Sequence, residues 1–91
     1  MKKVELYSAS WCSSCEVVKS IVKSLENVEV EIIDVEKETD RAISLGIRNI
    51  PVLRFLNKDG SEKHRLVGNR TKEEIVSYLE CDQEYPMHLA L

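Results

Sequence analysis

The sequence predicts an α/β fold, a four-stranded mixed sheet with helices on both faces, in the order β-α-β, short helix, β-β-α. Three observations carry this expectation. A short strand at 3–8, around Val4-Glu5-Leu6-Tyr7, and an alternating run at 28–35 bracket a stretch with helical spacing, which makes a β-α-β unit. Runs at 52–56 and 61–67 flank the turn sequence Asn57-Lys58-Asp59-Gly60, which makes a hairpin. Thr71-Lys72-Glu73-Glu74 then has the spacing of a capping box and opens a last helix.

Taken in order, residues 3–8 form the first strand, and the helix after it carries Val18, Ile21, Val22 and Leu25 at spacings of three and four. Lys19, Lys23 and Glu26 fall elsewhere on that helix, so one face is left to meet a sheet, and Asn27 closes it. Val28-Glu29-Val30-Glu31-Ile32 alternates and runs on to Val35, a strand with one wetter face; the crossover joining it to the first strand should be right-handed. Residues 38–45 read as a short helix ending at Gly46, with Ala42, Ile43 and Leu45 as its apolar members. Pro51 stands where a strand can begin without losing a ladder hydrogen bond, ahead of Val52-Leu53-Arg54-Phe55-Leu56. Ile75, Val76 and Leu79 give the last helix its stripe. The first strand is expected at the centre of the sheet. Residues 1–80 are read as one domain and 81–91, which contain Pro86 and little periodicity, as a loosely ordered tail.

Ninety-one residues with 43% apolar and 32% charged content suit one ordinary globular domain. A chain of this size buries about 60–70% of the surface its unfolded form exposes, so it folds without a covalent staple. The opening Met1-Lys2-Lys3-Val4-Glu5-Leu6 lacks the apolar run of a secretory signal, and no segment approaches a membrane span; a cytoplasmic location is expected. A net charge of −3 with both signs interspersed leaves no basic footprint for nucleic acid. Partners are therefore expected to be proteins or small thiols, and the chain to be a monomer.

Cys12-Ser13-Ser14-Cys15 lies between the first strand and the first helix, at the carboxyl end of the strand, where open α/β sheets place ligands. Residues three apart on a helix stand about 5 Å apart at Cα, within the range of about 4.4–6.8 Å that a disulfide accepts. At or just before the first helical turn, free backbone N–H groups and the helix dipole favour the thiolate of Cys12, the form that attacks disulfides. A redox dithiol is the leading reading for the pair, with metal binding and an inert pair as the alternatives. Structural zinc needs four ligands, and the remaining candidates, Cys81, His64 and His88, have no recognised spacing; no metal is expected. Three cysteines is an odd count, which argues against a secreted disulfide framework and leaves Cys81 as an incidental thiol, with a regulatory or intermolecular disulfide as its sharper alternative.

With Trp11-Cys12-Ser13-Ser14-Cys15, Ile50-Pro51-Val52, the pair Val67-Gly68 and this element order, the chain resembles the thioredoxin superfamily over roughly residues 3–80. It looks like a minimal member, of glutaredoxin-like length and without the extra N-terminal strand and helix of longer thioredoxins. The resemblance implies the thioredoxin fold, with Cys12 as exposed nucleophile and Cys15 as buried resolving thiol. It implies a cis bond at Ile50-Pro51 lying against the disulfide, where the backbone of residue 50 pairs with a substrate strand. The implied activity is reduction of protein disulfides through a mixed disulfide on Cys12, with no cofactor beyond the Cys12–Cys15 disulfide. Trp11, Ser13, Ser14, Ile50, Pro51, Val67 and Gly68 are the expected substrate-binding residues. A thioredoxin reductase or glutathione would return the electrons.

Two departures from the family pattern stand out. Thioredoxins usually carry a buried aspartate six residues before the nucleophile, held to assist proton transfer at the resolving cysteine, and here that residue is Leu6. Ser13-Ser14 replaces the common Gly-Pro, which points to a potential less reducing than a typical thioredoxin. Glutaredoxins bind glutathione partly through a Thr-Val-Pro segment and a later Gly-Gly pair followed by Asp; here the stretches read Asn49-Ile50-Pro51 and Val67-Gly68-Asn69-Arg70, closer to thioredoxin. A glutathione-dependent reductase and a protein-binding module that uses the same groove are the rival readings. Tyr7 is read as packing, His64 as solvent-facing or half-buried, and Lys2, Lys3, Arg48 and Arg70 as solvated charge, Arg48 and Arg70 flanking the rim of the site.

Overall fold

The computed structural model describes residues 2–80. The tail 81–91, and with it Cys81, Pro86 and His88, lies outside the described residues. Strand β1 (Lys2–Ser8) leads into helix α1 (Ser13–Lys23), strand β2 (Val28–Asp34), helix α2 (Thr39–Ser44), strands β3 (Val52–Leu56) and β4 (Glu62–Val67), and helix α3 (Lys72–Glu80). The sheet order is β2-β1-β3-β4. β1 runs parallel to β2 and antiparallel to β3, and β3 and β4 form the hairpin. β1 is therefore interior to the sheet, as its unbroken burial from Val4 to Ser8 requires.

The pleat sorts the side chains onto two faces. Val4 and Leu6 stand opposite Phe55 and Leu53, and these pack with Val18 and Val22 of α1, Leu66 of β4, and Ile75 and Leu79 of α3. On the other face Tyr7, Ile33 and Val52 pack with Val35, just past β2, and with Leu45 and Ile47, just past α2. Helices thus cover both faces.

Local chemistry sets the helix ends. Thr71 Oγ1 accepts the N–H of Glu74 at 3.2 Å while Thr71 N–H donates to Glu74 Oε1 at 3.3 Å, the reciprocal capping box expected for α3. Helix α1 stops at Lys23, and Asn27 turns the chain toward β2 with a φ of 58°, a left-handed conformation asparagine tolerates better than most residues. Two side chains stand where their own polarity would not put them. Ile43 is 67% exposed, because α2 has only six residues and buries just Ala42. His64 is buried rather than half-exposed, since it alternates with Leu66 on the inner face of β4 and its ring meets the edges of Phe55 and Tyr78.

Candidate active site

β1 delivers the chain at Ser8, whose carbonyl accepts the N–H of Val35 at 2.9 Å and ties the end of β1 to the end of β2. The chain turns through Ala9, whose carbonyl accepts the Cys12 N–H at 3.2 Å, and Cys12 then caps α1 from an extended conformation, φ −92° and ψ 104°. Its Sγ accepts the backbone N–H of Cys15 at 3.1 Å. A sulfur here fills the place an oxygen usually takes at a helix N-cap, on one of the first N–H groups that have no partner inside the helix.

Cys12 and Cys15 are joined as a disulfide with Cα atoms 5.3 Å apart. Cys15 is fully buried, while Cys12 is 6% exposed, so Cys12 reaches the surface only narrowly rather than as the exposed nucleophile the resemblance implies. Both pack with Ala9, and with Val35 and Ile50 at their edge.

Ile50-Pro51 is a cis peptide. The Pro51 carbonyl accepts the N–H of Gly68 at 2.8 Å, which joins the segment before β3 to the residue after β4. Gly68 has φ +85°, a conformation that glycine adopts without the Cβ clash other residues meet. Ile50, Pro51 and Gly68 are thereby fixed beside the disulfide through Ile50, with Val67 opposite Val52. Trp11, 69% exposed, and Val67, 43% exposed, present apolar surface at this end of the sheet. Ser13 is exposed and Ser14 half-buried at the start of α1.

Leu6, the residue in the place of the family aspartate, is fully buried in the core shared with α1 and α3. The buried carboxylate of β1 is its neighbour Glu5, which faces the other side of the sheet. Tyr7 donates to Glu5 Oε1 at 3.0 Å, and burial followed by that bond pushes the phenol's pKa above its ordinary value, keeping it a donor. Glu5 also pairs with Arg54, and with Arg41 at 2.5 Å. Arg54 donates to Glu62 at 2.7 Å. This network was not singled out in the sequence, although Arg54 in the middle of Val-Leu-Arg-Phe-Leu is a signal: a charge inside an apolar strand needs a buried partner. Among the described residues no group of three or more His, Cys, Asp or Glu is placed to hold a metal ion, and no helix is long and apolar enough to cross a membrane.

The family model Thioredoxin matches residues 3–81. The chain is 29% identical over 77 residues to thioredoxin C-2 of Corynebacterium nephridii, covering 79% of this chain and 70% of that protein. It is 32% identical over 79 residues to a thioredoxin of Methanocaldococcus jannaschii, covering 81% and 87% of the two chains. A prophage-derived thioredoxin-like protein, YosR, of Bacillus subtilis is 31% identical over 62 residues, covering 68% and 76%. Among solved structures, a mutant thioredoxin of Halobacterium salinarum superposes with a TM-score of 0.80 at 23% identity, over 87% of this chain and 72% of that one, a likeness of fold.

Proposed function

The chain belongs to the thioredoxin family and is a thiol-disulfide oxidoreductase that reduces protein disulfides, and from that premise we propose that Cys12 is its attacking thiol and Cys15 its resolving thiol. What supports this order of events is the cap geometry. Cys12 holds the outer position and receives the Cys15 N–H at the positive end of α1, so negative charge on its sulfur is met by a donor and a dipole. Cys15, fully enclosed, has neither access to a substrate nor an equivalent donor described for it.

In the reduced protein the Cys12 thiolate attacks one sulfur of a substrate disulfide. A Cys12–substrate disulfide forms, the substrate's own S–S bond breaks, and the departing thiolate takes a proton from solvent. Cys15 then gives its proton to solvent and attacks Cys12 Sγ; the Cys12–Cys15 bond forms, the Cys12–substrate bond breaks, and the second substrate thiolate leaves and takes up a proton from solvent. Two electrons pass to the substrate, and the intramolecular disulfide seen here is the oxidised product. Trp11, Val67 and the Ile50-Pro51 backbone form the docking surface, with Ser13, Ser14 and Gly68 at its margins. A thioredoxin reductase is the proposed electron donor, the site acts as a monomer in the cytoplasm, and no cofactor takes part.

The test uses pre-reduced protein and insulin, in a Cys81→Ser background so that only two thiols compete. Cys15→Ser should accumulate a mixed disulfide with insulin, visible by intact mass, and Cys12→Ser should form none. A mixed disulfide carried by Cys15 in Cys12→Ser would reverse the assignment. Recycling of the oxidised protein by NADPH-linked thioredoxin reductase, but not by glutathione with glutathione reductase, is the expected result for the donor.

A further inference from the structure

The face of the sheet beneath α2 carries two awkward pairings. Glu5 stands directly opposite Glu31, and Arg54 directly opposite Arg65. Like charges facing each other across strands are destabilising, and more so where water is scarce, as it is at Glu5 and Arg54, which are 5% and 8% exposed. Glu5 and Arg54 pair with each other across β1 and β3, and each like-charge pair also meets one counter-charge that both its members share. Glu62 lies on Arg54 and Arg65, both at 2.7 Å, and belongs to the sheet itself. Arg41 lies on Glu5 at 2.5 Å and Glu31 at 3.2 Å, with Glu38 at 3.3 Å, and it arrives from α2.

α2 has little else to hold it down. It is six residues long, its N-cap Glu38 makes no side-chain capping bond, and Ala42 is its one buried residue. Yet the chain leaves it through Leu45 and Ile47, which pack on Tyr7, Ile33 and Val52, and reaches Ile50 against the disulfide. The exit is continuous with Arg41. The Arg41 carbonyl accepts the N–H of Leu45 at 3.2 Å, its guanidinium sits 5.8 Å from the centre of the Tyr7 ring, and Ile47 N–H donates to Ala42 at 3.0 Å.

We infer that Arg41 is a positioning residue: by bridging Glu5 and Glu31 it fixes α2 on the sheet, and so fixes the 47–50 loop whose Ile50 backbone a protein substrate meets. This deepens the proposed function and rests on it. The clamp touches neither sulfur, so it acts on how a protein substrate docks and not on the thiol exchange. Arg41→Met isolates that role, because Glu5 keeps Arg54 and Tyr7 as partners, while Glu31, 43% exposed, returns to water.

Pre-reduced protein is mixed with increasing insulin, and separately with dithionitrobenzoate, a small disulfide that needs no extended docking. For Arg41→Met the half-saturating insulin concentration should rise about fivefold, a modest share of the roughly hundredfold that a 1 Å misplacement can produce. The limiting rate, the dithionitrobenzoate rate and the redox equilibrium with dithiothreitol should each stay within about twofold of wild type, and Arg41→Lys should recover about half the lost affinity through its single charge. An unchanged half-saturation, or equal losses with both disulfides, would overturn the inference. If circular dichroism shows Arg41→Met unfolded, Arg41→Gln carries the same comparison with the same outcomes. A wild-type protein unable to reduce insulin at all would instead overturn the functional reading on which the clamp rests.

Discussion

Reducing the Cys12–Cys15 bond should lower the stability of this domain by about 2 kcal/mol. The bond joins residues three apart in sequence, so the loop it closes holds four residues. The loop-entropy relation then gives about 6 cal/mol/K of denatured-chain entropy withheld by the closed ring, or about 2 kcal/mol at 25 °C. The native backbone adds no large opposing contribution, since the Cα separation of 5.3 Å lies within the ordinary disulfide range. For a domain of this size the loss corresponds to a fall of about 8–16 °C in Tm. Guanidinium unfolding of the protein with and without excess reductant measures it, with the Cys12→Ser, Cys15→Ser double variant as the permanently open reference. Linkage supplies a second reading of the same quantity. The folded dithiol should be easier to oxidise than the same pair in the unfolded chain by about 45 mV, which is 2 kcal/mol at two electrons. A reduced form as stable as the oxidised one would refute the reasoning, and so would disagreement between the two measurements by more than a factor of two.

Trp11→Ala should leave Tm almost unchanged, because the ring is 69% exposed, while the half-saturating insulin concentration rises about tenfold or more, the scale of an aromatic anchor; matching losses in Tm and affinity would assign Trp11 to the core instead. Leu6→Asp should lose about 3–5 kcal/mol in guanidinium unfolding, about 2 from the fully buried Leu6 side chain and the rest from a carboxyl without partners in an apolar cluster; a loss under about 1 kcal/mol would show that water reaches this position. Burial alone would raise the pKa of Glu62, but its hydrogen bonds from Arg65 and Arg54 hold it below the ordinary value. A depressed folded pKa means stability present above the unfolded value of about 4.5 and lost as pH falls through the folded one, so Glu62→Gln should flatten the acid limb of the unfolding curve below about pH 4.5; an unaltered limb would place the acid sensitivity elsewhere.

Much of the site was readable in the chain because short-range rules set it. The Cys12 to Cys15 spacing, its place between a short strand and an amphipathic stretch, and the Thr71 to Glu74 capping box are each decided within about four residues, and the structure bears out the element order, the interior place of the first strand and the cap. Cys12 shows where this ends. Its closeness to a helix N-terminus is local, but its 6% exposure depends on Ala9, Val35 and Ile50 closing round it from three segments of the chain.

The charged face beneath α2 was hidden for a related reason. In β2 and β4, edge strands of the sheet, alternating charge reads as a wet face, and for Glu29 it is one: the side chain is largely solvated beside Lys3. Glu5 and Arg54 follow the same alternation on strands with neighbours on both sides, where a charge is stable only with a counter-charge in reach. Which counter-charge is in reach depends on register, which sets Glu5 against Arg54, and on the seating of α2, which brings Arg41 thirty-six residues along the chain. A charged residue in a strand with sheet neighbours on both sides therefore says that a partner exists and leaves its identity to the fold. Here β3 supplies Arg54 to Glu5, and the further counter-charge that Glu5 shares with Glu31 comes from outside the sheet, on the helix that leads to the substrate loop.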